Sequence, residues 1–338
     1  MNNKTWIDYT KVLCMFLVYL NHMEIYYGYS IPGAEILYRP FFVNLFFIVS
    51  GYLLFRKYLS TNYSSFNNCE WGVTIRKEIL PNIFYKLFIP TILFATINYF
   101  PKKIIRSEPI DAISLISDTI GGGSLWFTSA MVIAQLLLCL MLYRRRSIAF
   151  HLSISFVLLL IANLLRGYNV VIFESLSFPW YYKSGMIAVF FMSIGGFYWK
   201  FEKRISTVLH AHRWILLVLL SIYLLFVVSG KARCNTINAD VNFLGIIATC
   251  LSSLLIIELF KNFRPLNTIT FIGRNSIGFY FLSGSIPNIV ALVCKRTITC
   301  ADNMIYLLVP ISFCIAYICV KIIVTYFPYL FDLRRISR

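Results

Sequence analysis

DYTKVLCMFLVYLNHMEIYY, Asp8 to Tyr27, is an apolar run of membrane-spanning length that nevertheless carries Lys11 and His22. Read as a helix at ~100° per residue, the eleven-residue step between them closes about three turns. Both side chains then share one face, about 16 Å apart along the axis, and Asp8 falls near the same stripe. Ionisable groups inside a bilayer-length helix are costly and face a protein interior or a wet cavity, which makes this stripe a functional site by default.

Composition places the rest of the chain around such a helix. Of 338 residues, 59% are hydrophobic and 13% charged, with a mean hydropathy of +0.74, which points to an all-α, polytopic integral membrane protein rather than a soluble domain. The net charge of +17 does not mark a nucleic-acid binder, because the basic residues lie in short loops between apolar runs and form no continuous patch. They read instead as topology signals and contacts to membrane lipids. Nine cysteines show neither CxxC nor zinc-type Cys/His spacing, so no metal site is expected. The first run is too long for a signal-peptide core and no small-residue cleavage site follows it, so it is expected to stay as an anchor.

Ten apolar runs can be traced, at 9–27, 36–55, 81–100, 125–143, 147–165, 185–201, 213–229, 242–260, 271–293 and 304–327. They predict a bundle of about ten transmembrane helices in one domain over 1–338, since the longest polar connections, 56–80 and 101–124, are too short to bury a core of their own. With the N-terminus inside, loops on that side hold 17 Lys and Arg, Arg144, Arg145 and Arg146 among them, against 10 on the other. This asymmetry predicts a multi-pass protein of the cytoplasmic (inner) membrane with both termini cytoplasmic.

Four further cations, Lys11, Lys86, Arg274 and Lys321, lie inside predicted helices, all in the cytoplasmic half. Two readings compete for each: snorkelling to the inner headgroups, or a basic vestibule for a phosphorylated cytosolic molecule. His22 belongs to the outer half. A helix histidine is often only a hydrogen-bonded core residue, yet with an unperturbed pKa near ~6.5 it is the side chain best suited to take a proton from a hydroxyl.

Several motifs together resemble the membrane-bound acyltransferase type 3 family. They are Asp8, Lys11-x10-His22, PFFVNLFFIVSGYLLFRK from Pro40 to Lys57, and Arg76 and Lys77 followed by a Lys-x3-Pro step from Lys86 to Pro90. Leu-Trp-Phe at 125–127 and FIGRNSIGFYFLS from Phe271 to Ser283 complete the set. The resemblance spans nearly the whole chain. It implies an acyltransferase transferring groups other than aminoacyl groups, an acetyl-CoA-dependent O-acetyltransferase that moves an acyl group from cytosolic acyl-CoA to a hydroxyl of a cell-surface polysaccharide or lipid-linked glycan. The family's essential histidine corresponds to His22 and its Arg/Lys to Lys11. In two places the chain departs from the pattern: Lys11 replaces the commoner Arg and loses bidentate recognition, and Ser283 stands where many members have a second His.

On this reading His22 is the general base and acetyl-CoA the co-substrate. Arg76, Lys77, Lys86 and Arg274, with Lys11, are candidates for the donor's phosphates. Asn44, Ser50, Ser276 and Tyr280 are candidate acceptor contacts, with interhelical hydrogen bonding as the competing role. Trp126, after Gly121, Gly122 and Gly123, is either a platform for a sugar ring at a flexible gate or an ordinary interfacial Trp. Cys234 and Cys300 fall in outer loops, where a disulfide would form in an oxidising compartment. A different class, a secondary transporter or glycan flippase with His22 as proton relay, fits the same composition. It predicts internal repeats and runs of intramembrane acids, and neither is found.

Overall fold

The structure is a computed structural model describing residues 5–59, 73–106, 108–142, 147–168, 171–173, 176–177, 181–297 and 302–332. Helices underlie every one of the ten apolar runs, but several are divided. Helix α1 is Thr5–Tyr27, and the second run becomes α2, Ala34–Tyr38, and α3, Asn44–Leu59. The break falls at Pro40, which has no amide proton to continue a helix. Its carbonyl, freed from helical bonding, accepts from Asn44 Nδ2 at 3.0 Å and from Thr249 Oγ1 at 2.6 Å.

Helix α4 runs from Ile75 to Arg106 and carries two π-helical turns, Ile75–Ile79 and Phe84–Phe88. Then come α5 (Ala112–Thr119), α6 (Trp126–Leu142), α7 (Ile148–Leu164), α8 (Tyr182–Ala211), α9 (Trp214–Val228) and α10 (Phe243–Phe260). The ninth run splits into α11 (Asn267–Arg274), α12 (Ser276–Ser283) and α13 (Ile286–Thr297), and α14 is Ile305–Tyr326. Two 3-10 turns, Asp302–Met304 and Pro328–Leu330, and two short hairpins complete the described elements. One pairs β1 (Val171–Phe173) with β2 (Leu176–Ser177); the other pairs β3 (Cys234–Asn235) with β4 (Asp240–Val241), setting Cys234 opposite Val241.

Among the described residues, three helical stretches are by themselves long and apolar enough to cross a membrane: Ile75–Ile104, α10 and α14. The number rises to five if each bent pair, α8 with α9 and α12 with α13, is one span. The structure thus shows a helical membrane protein with three to five candidate spans among the described residues and several broken or short elements besides, which leaves the expected count of about ten unconfirmed. Helix α1 is absent from the three because Asp8, Lys11, Asn21, His22 and Glu24 interrupt its apolar run. It can afford them only by being enclosed: α1 packs against α3, α10, α11, α12, α13 and α14. Tyr19 fixes its middle, donating to Phe279 O of α12 at 2.9 Å.

The second organising contact is α3 on α8. A Cβ added at Gly51 would lie 2.0 Å from Met192 O, and one at Gly195 would lie 1.9 Å from Ile48 O. Only glycine lets the two backbones approach this closely, and small residues at such seams drive helix association in lipid, where apolar burial alone gives little.

Candidate functional site

A cavity of about 900 Å³ opens between the second half of α1, the α2–α3 corner, the start of α6, α12 and the β3–β4 hairpin. His22 lies on its wall, half-buried, with its ring stacked on Tyr26 (centroids 5.8 Å apart, planes 10° apart). Among the described residues no group hydrogen-bonds or ion-pairs with the imidazole. Asn21, its neighbour, also lines the cavity, and among the described residues its side chain has one polar neighbour, Tyr38 OH at 3.4 Å from Oδ1, whose proton is directed to Glu24 instead. The amide nitrogen of Asn21 is uncommitted.

Glu24, one turn on, has a different part. It is 8% exposed and accepts from Tyr38 OH and from the Ile31 amide at 2.9 Å, so it ties the 28–33 turn and α2 to the end of α1. The sequence motif does not mark Glu24, although the rule that singles out Lys11 applies equally to an acid two residues beyond His22.

Four of the predicted site residues meet at this cavity: His22, Asn44, Trp126 and Tyr280. Asn44, however, has no free amide. Its Nδ2 donates to Pro40 O and to Cys234 Sγ at 3.1 Å, and its Oδ1 accepts from Thr236 Oγ1 at 2.5 Å. Asn44 thus fastens the β3–β4 hairpin over the cavity and is not available to an acceptor. Tyr280 OH accepts from the Phe127 amide at 3.1 Å and keeps its own proton to donate. Trp126 stands beside Tyr181, ring centroids 6.3 Å apart, and the two rings offer an aromatic wall. The glycines before Trp126 form a pinned turn rather than a free gate: Gly122 has φ +74°, Gly122 O accepts from Ser129 Oγ, and Gly123 O accepts from Tyr181 OH at 3.2 Å.

The other predicted residues lie elsewhere. Ser50 on α3 is half-buried and Ser276 on α12 is buried, and neither lines the cavity. Ser283, in place of a second histidine, donates to Tyr280 O at 2.8 Å and closes its own helical turn. Lys11 and Arg274 both lie within electrostatic reach of Asp8, and α11 comes so close to α1 that a Cβ at Gly273 would be 2.6 Å from Asp8 Cα. Lys86 is exposed and pairs with Asp332 at 3.7 Å, while Arg76 and Lys77 are exposed on the first π-helical turn. The expected vestibule of bare cations is therefore a set of cations interleaved with carboxylates, at the opposite end of α1 from His22.

The hairpin brings residues that sequence spacing cannot find. Arg233 and Asp240 line the cavity and pair at 3.8 Å, and Asp240 also holds Arg166 at 2.7 Å. Asn242 anchors the hairpin's base, its Oδ1 accepting from Gly245 N and Arg233 N. Cys234 is a free thiol, and burial pushes it up to about 12, so it is protonated at neutral pH. Its proposed partner Cys300 lies outside the described residues. Among the described residues no group of three His, Cys, Asp or Glu is placed to hold a metal ion.

A helical membrane protein whose enclosed first helix presents an uncommitted imidazole to a large aromatic and amide-lined cavity has the parts of a membrane-embedded transferase. The family model described as an acyltransferase domain matches residues 4–330, and the chain belongs to the acyltransferase 3 family. Comparison with curated proteins and with solved structures gives no match.

Proposed function

We propose that this membrane acyltransferase is a single-domain O-acetyltransferase, moving an acetyl group from cytosolic acetyl-CoA to a hydroxyl of a cell-surface polysaccharide or lipid-linked glycan. The observation that carries this reading is His22, an imidazole with no hydrogen-bond or ion-pair partner among the described residues, on the wall of a cavity of about 900 Å³ that Trp126 and Tyr181 also line. His22 takes the proton from the acceptor hydroxyl as its oxygen attacks the thioester carbonyl. The collapsing tetrahedral intermediate expels the CoA thiolate, which recovers that proton from the imidazolium. In this reading the amide of Asn21, which lines the same cavity, steadies the oxyanion, since that of Asn44 is already engaged.

At the other end of α1, Lys11, Arg274, Lys86, Arg76 and Lys77 receive the phosphates of the donor, and the thin thiol arm of CoA covers the three helical turns up to His22. Trp126 and Tyr181 take the face of a sugar ring. The test is transfer of label from radioactive acetyl-CoA to glycan in membranes containing the chain. Transfer that depends on His22 is the expected result; equal transfer by a well-inserted His22→Ala protein removes the base, and solute flux without any transfer would favour the transporter reading.

A further inference from the structure

A second cavity, of about 470 Å³, lies at the corner where α8 turns into α9 through 101°. Helix α10 returns alongside α9, so the wedge has two walls and a bend above it. Polar and apolar residues mix at the corner, and α9 beyond it is apolar. At the corner end are His210, Arg213, Asn262 and Glu258. Over the next ~10 Å of α9 beyond Arg213 the lining is apolar, with Leu216, Leu217 and Leu220, and α10 adds Leu255, Ile256 and Leu259 on either side of Glu258. Leu217 and Leu259 are also exposed on the outer surface, 67% and 56%, so the wedge is open to lipid from the side.

Glu258 supplies the second observation. It is 3% exposed, and its Oε1 accepts from Tyr198 OH at 2.6 Å, Ser206 Oγ at 3.1 Å and Lys261 Nζ at 3.0 Å. Its Oε2 is buried and has no hydrogen-bond partner among the described residues. Lys261, the nearest cation, is shared with Glu202 at 3.2 Å. A buried carboxylate oxygen without a donor is uncommon and calls for a guest. Beside it Arg213, exposed on the rim, offers a guanidinium matched to phosphate.

We propose that this wedge binds a glycerophospholipid whose head group carries a primary amine. Its phosphate sits on Arg213 and His210, its ammonium on Glu258 Oε2, and one acyl chain lies along the leucines. The assignment is independent of the transfer chemistry, since the wedge shares no lining residue with the cavity of His22.

The test is native mass spectrometry of the full chain in detergent, loaded with equal amounts of phosphatidylethanolamine and phosphatidylglycerol of identical chains. The expected result is retention of the ethanolamine lipid over the glycerol lipid by roughly tenfold, the size of one charge-assisted hydrogen bond. Glu258→Gln should bring that ratio to near one while lipid is still retained. Arg213→Gln, on the rim and outside the Tyr198 cluster, should weaken both lipids without changing their ratio. Leu217→Trp should fill the wedge and remove both, whereas Leu307→Trp on the lipid face of α14 should not. Equal retention of the two lipids by the parent protein, a preference that survives Glu258→Gln, or full retention in Leu217→Trp would each overturn the proposal.

Discussion

Asn21 and His22 are consecutive on α1, and the proposed reaction asks opposite things of them, one donating to a developing negative charge and the other accepting a proton. Removing the base in His22→Ala should lower kcat ~10²- to 10⁴-fold, with the KM for donor little changed because the phosphates bind at the other end of α1. Asn21→Ala should cost ~10²- to 10³-fold in kcat, the usual loss for one oxyanion donor. Steady-state kinetics on labelled acetyl-CoA read both. Cys234→Ser is expected to retain activity, because a thiol held near 12 is no acyl carrier and a serine hydroxyl can still accept from Asn44; loss of the reaction in that variant would bring back a covalent cysteine. The Lys-x10-His spacing makes His22 legible in the sequence, since one helix sets it. Asn44 is legible as a polar residue in an apolar helix, but not as a fastener, because its partners Cys234 and Thr236 are 190 and 192 residues away. Only the folded chain joins them.

At the level of elements, apolar run length locates helices but says little about where they break, because a break depends on whether the freed backbone groups find other partners. Pro40 marks one break in the sequence itself. The divisions at Asn275 and at Gly284 do not announce themselves, and they rest on tertiary contacts such as Tyr19 to Phe279 O and Asn98 Nδ2 to Phe281 O at 2.8 Å. The α3–α8 seam is the element contact most open to a sharp test. At Gly195 an added methyl would overlap Ile48 O, and backbone cannot rotate aside as a side chain can. Gly195→Ala should destabilise the protein by at least ~1–3 kcal/mol, the ordinary cost of overpacking, whereas Gly284→Ala, with open space around its Cβ, should be near neutral. Thermal unfolding in one detergent compares them. If the two variants melt alike, α3 and α8 are not in the contact described.

For the molecule as a whole, the sidedness of the reaction depends on orientation, and charge argues for one answer. The α8–α9 corner and the segment after α10 carry Lys200, Lys203, Arg204, Arg213, Lys261 and Arg264, and they lie at the same end of the bundle as the start of α1 with its Lys11. The cavity end carries fewer cations, and several of these are paired locally, Arg39 with Glu35, while Arg166 and Arg233 share Asp240. The positive-inside rule then predicts the α8–α9 corner in the cytosol and the β3–β4 hairpin outside. In that predicted orientation the cations proposed to bind the donor's phosphates would face a cytosolic donor, and the aromatic wall of Trp126 and Tyr181 would face the proposed surface acceptor. A cysteine introduced at the exposed hairpin position Asn238 should react with a membrane-impermeant maleimide on intact cells, and one at exposed Lys203 only after permeabilisation. The opposite pattern would separate the donor from its cations by the thickness of the bilayer. His22 would then face the cytosol, and an acceptor on the cell surface could not reach it.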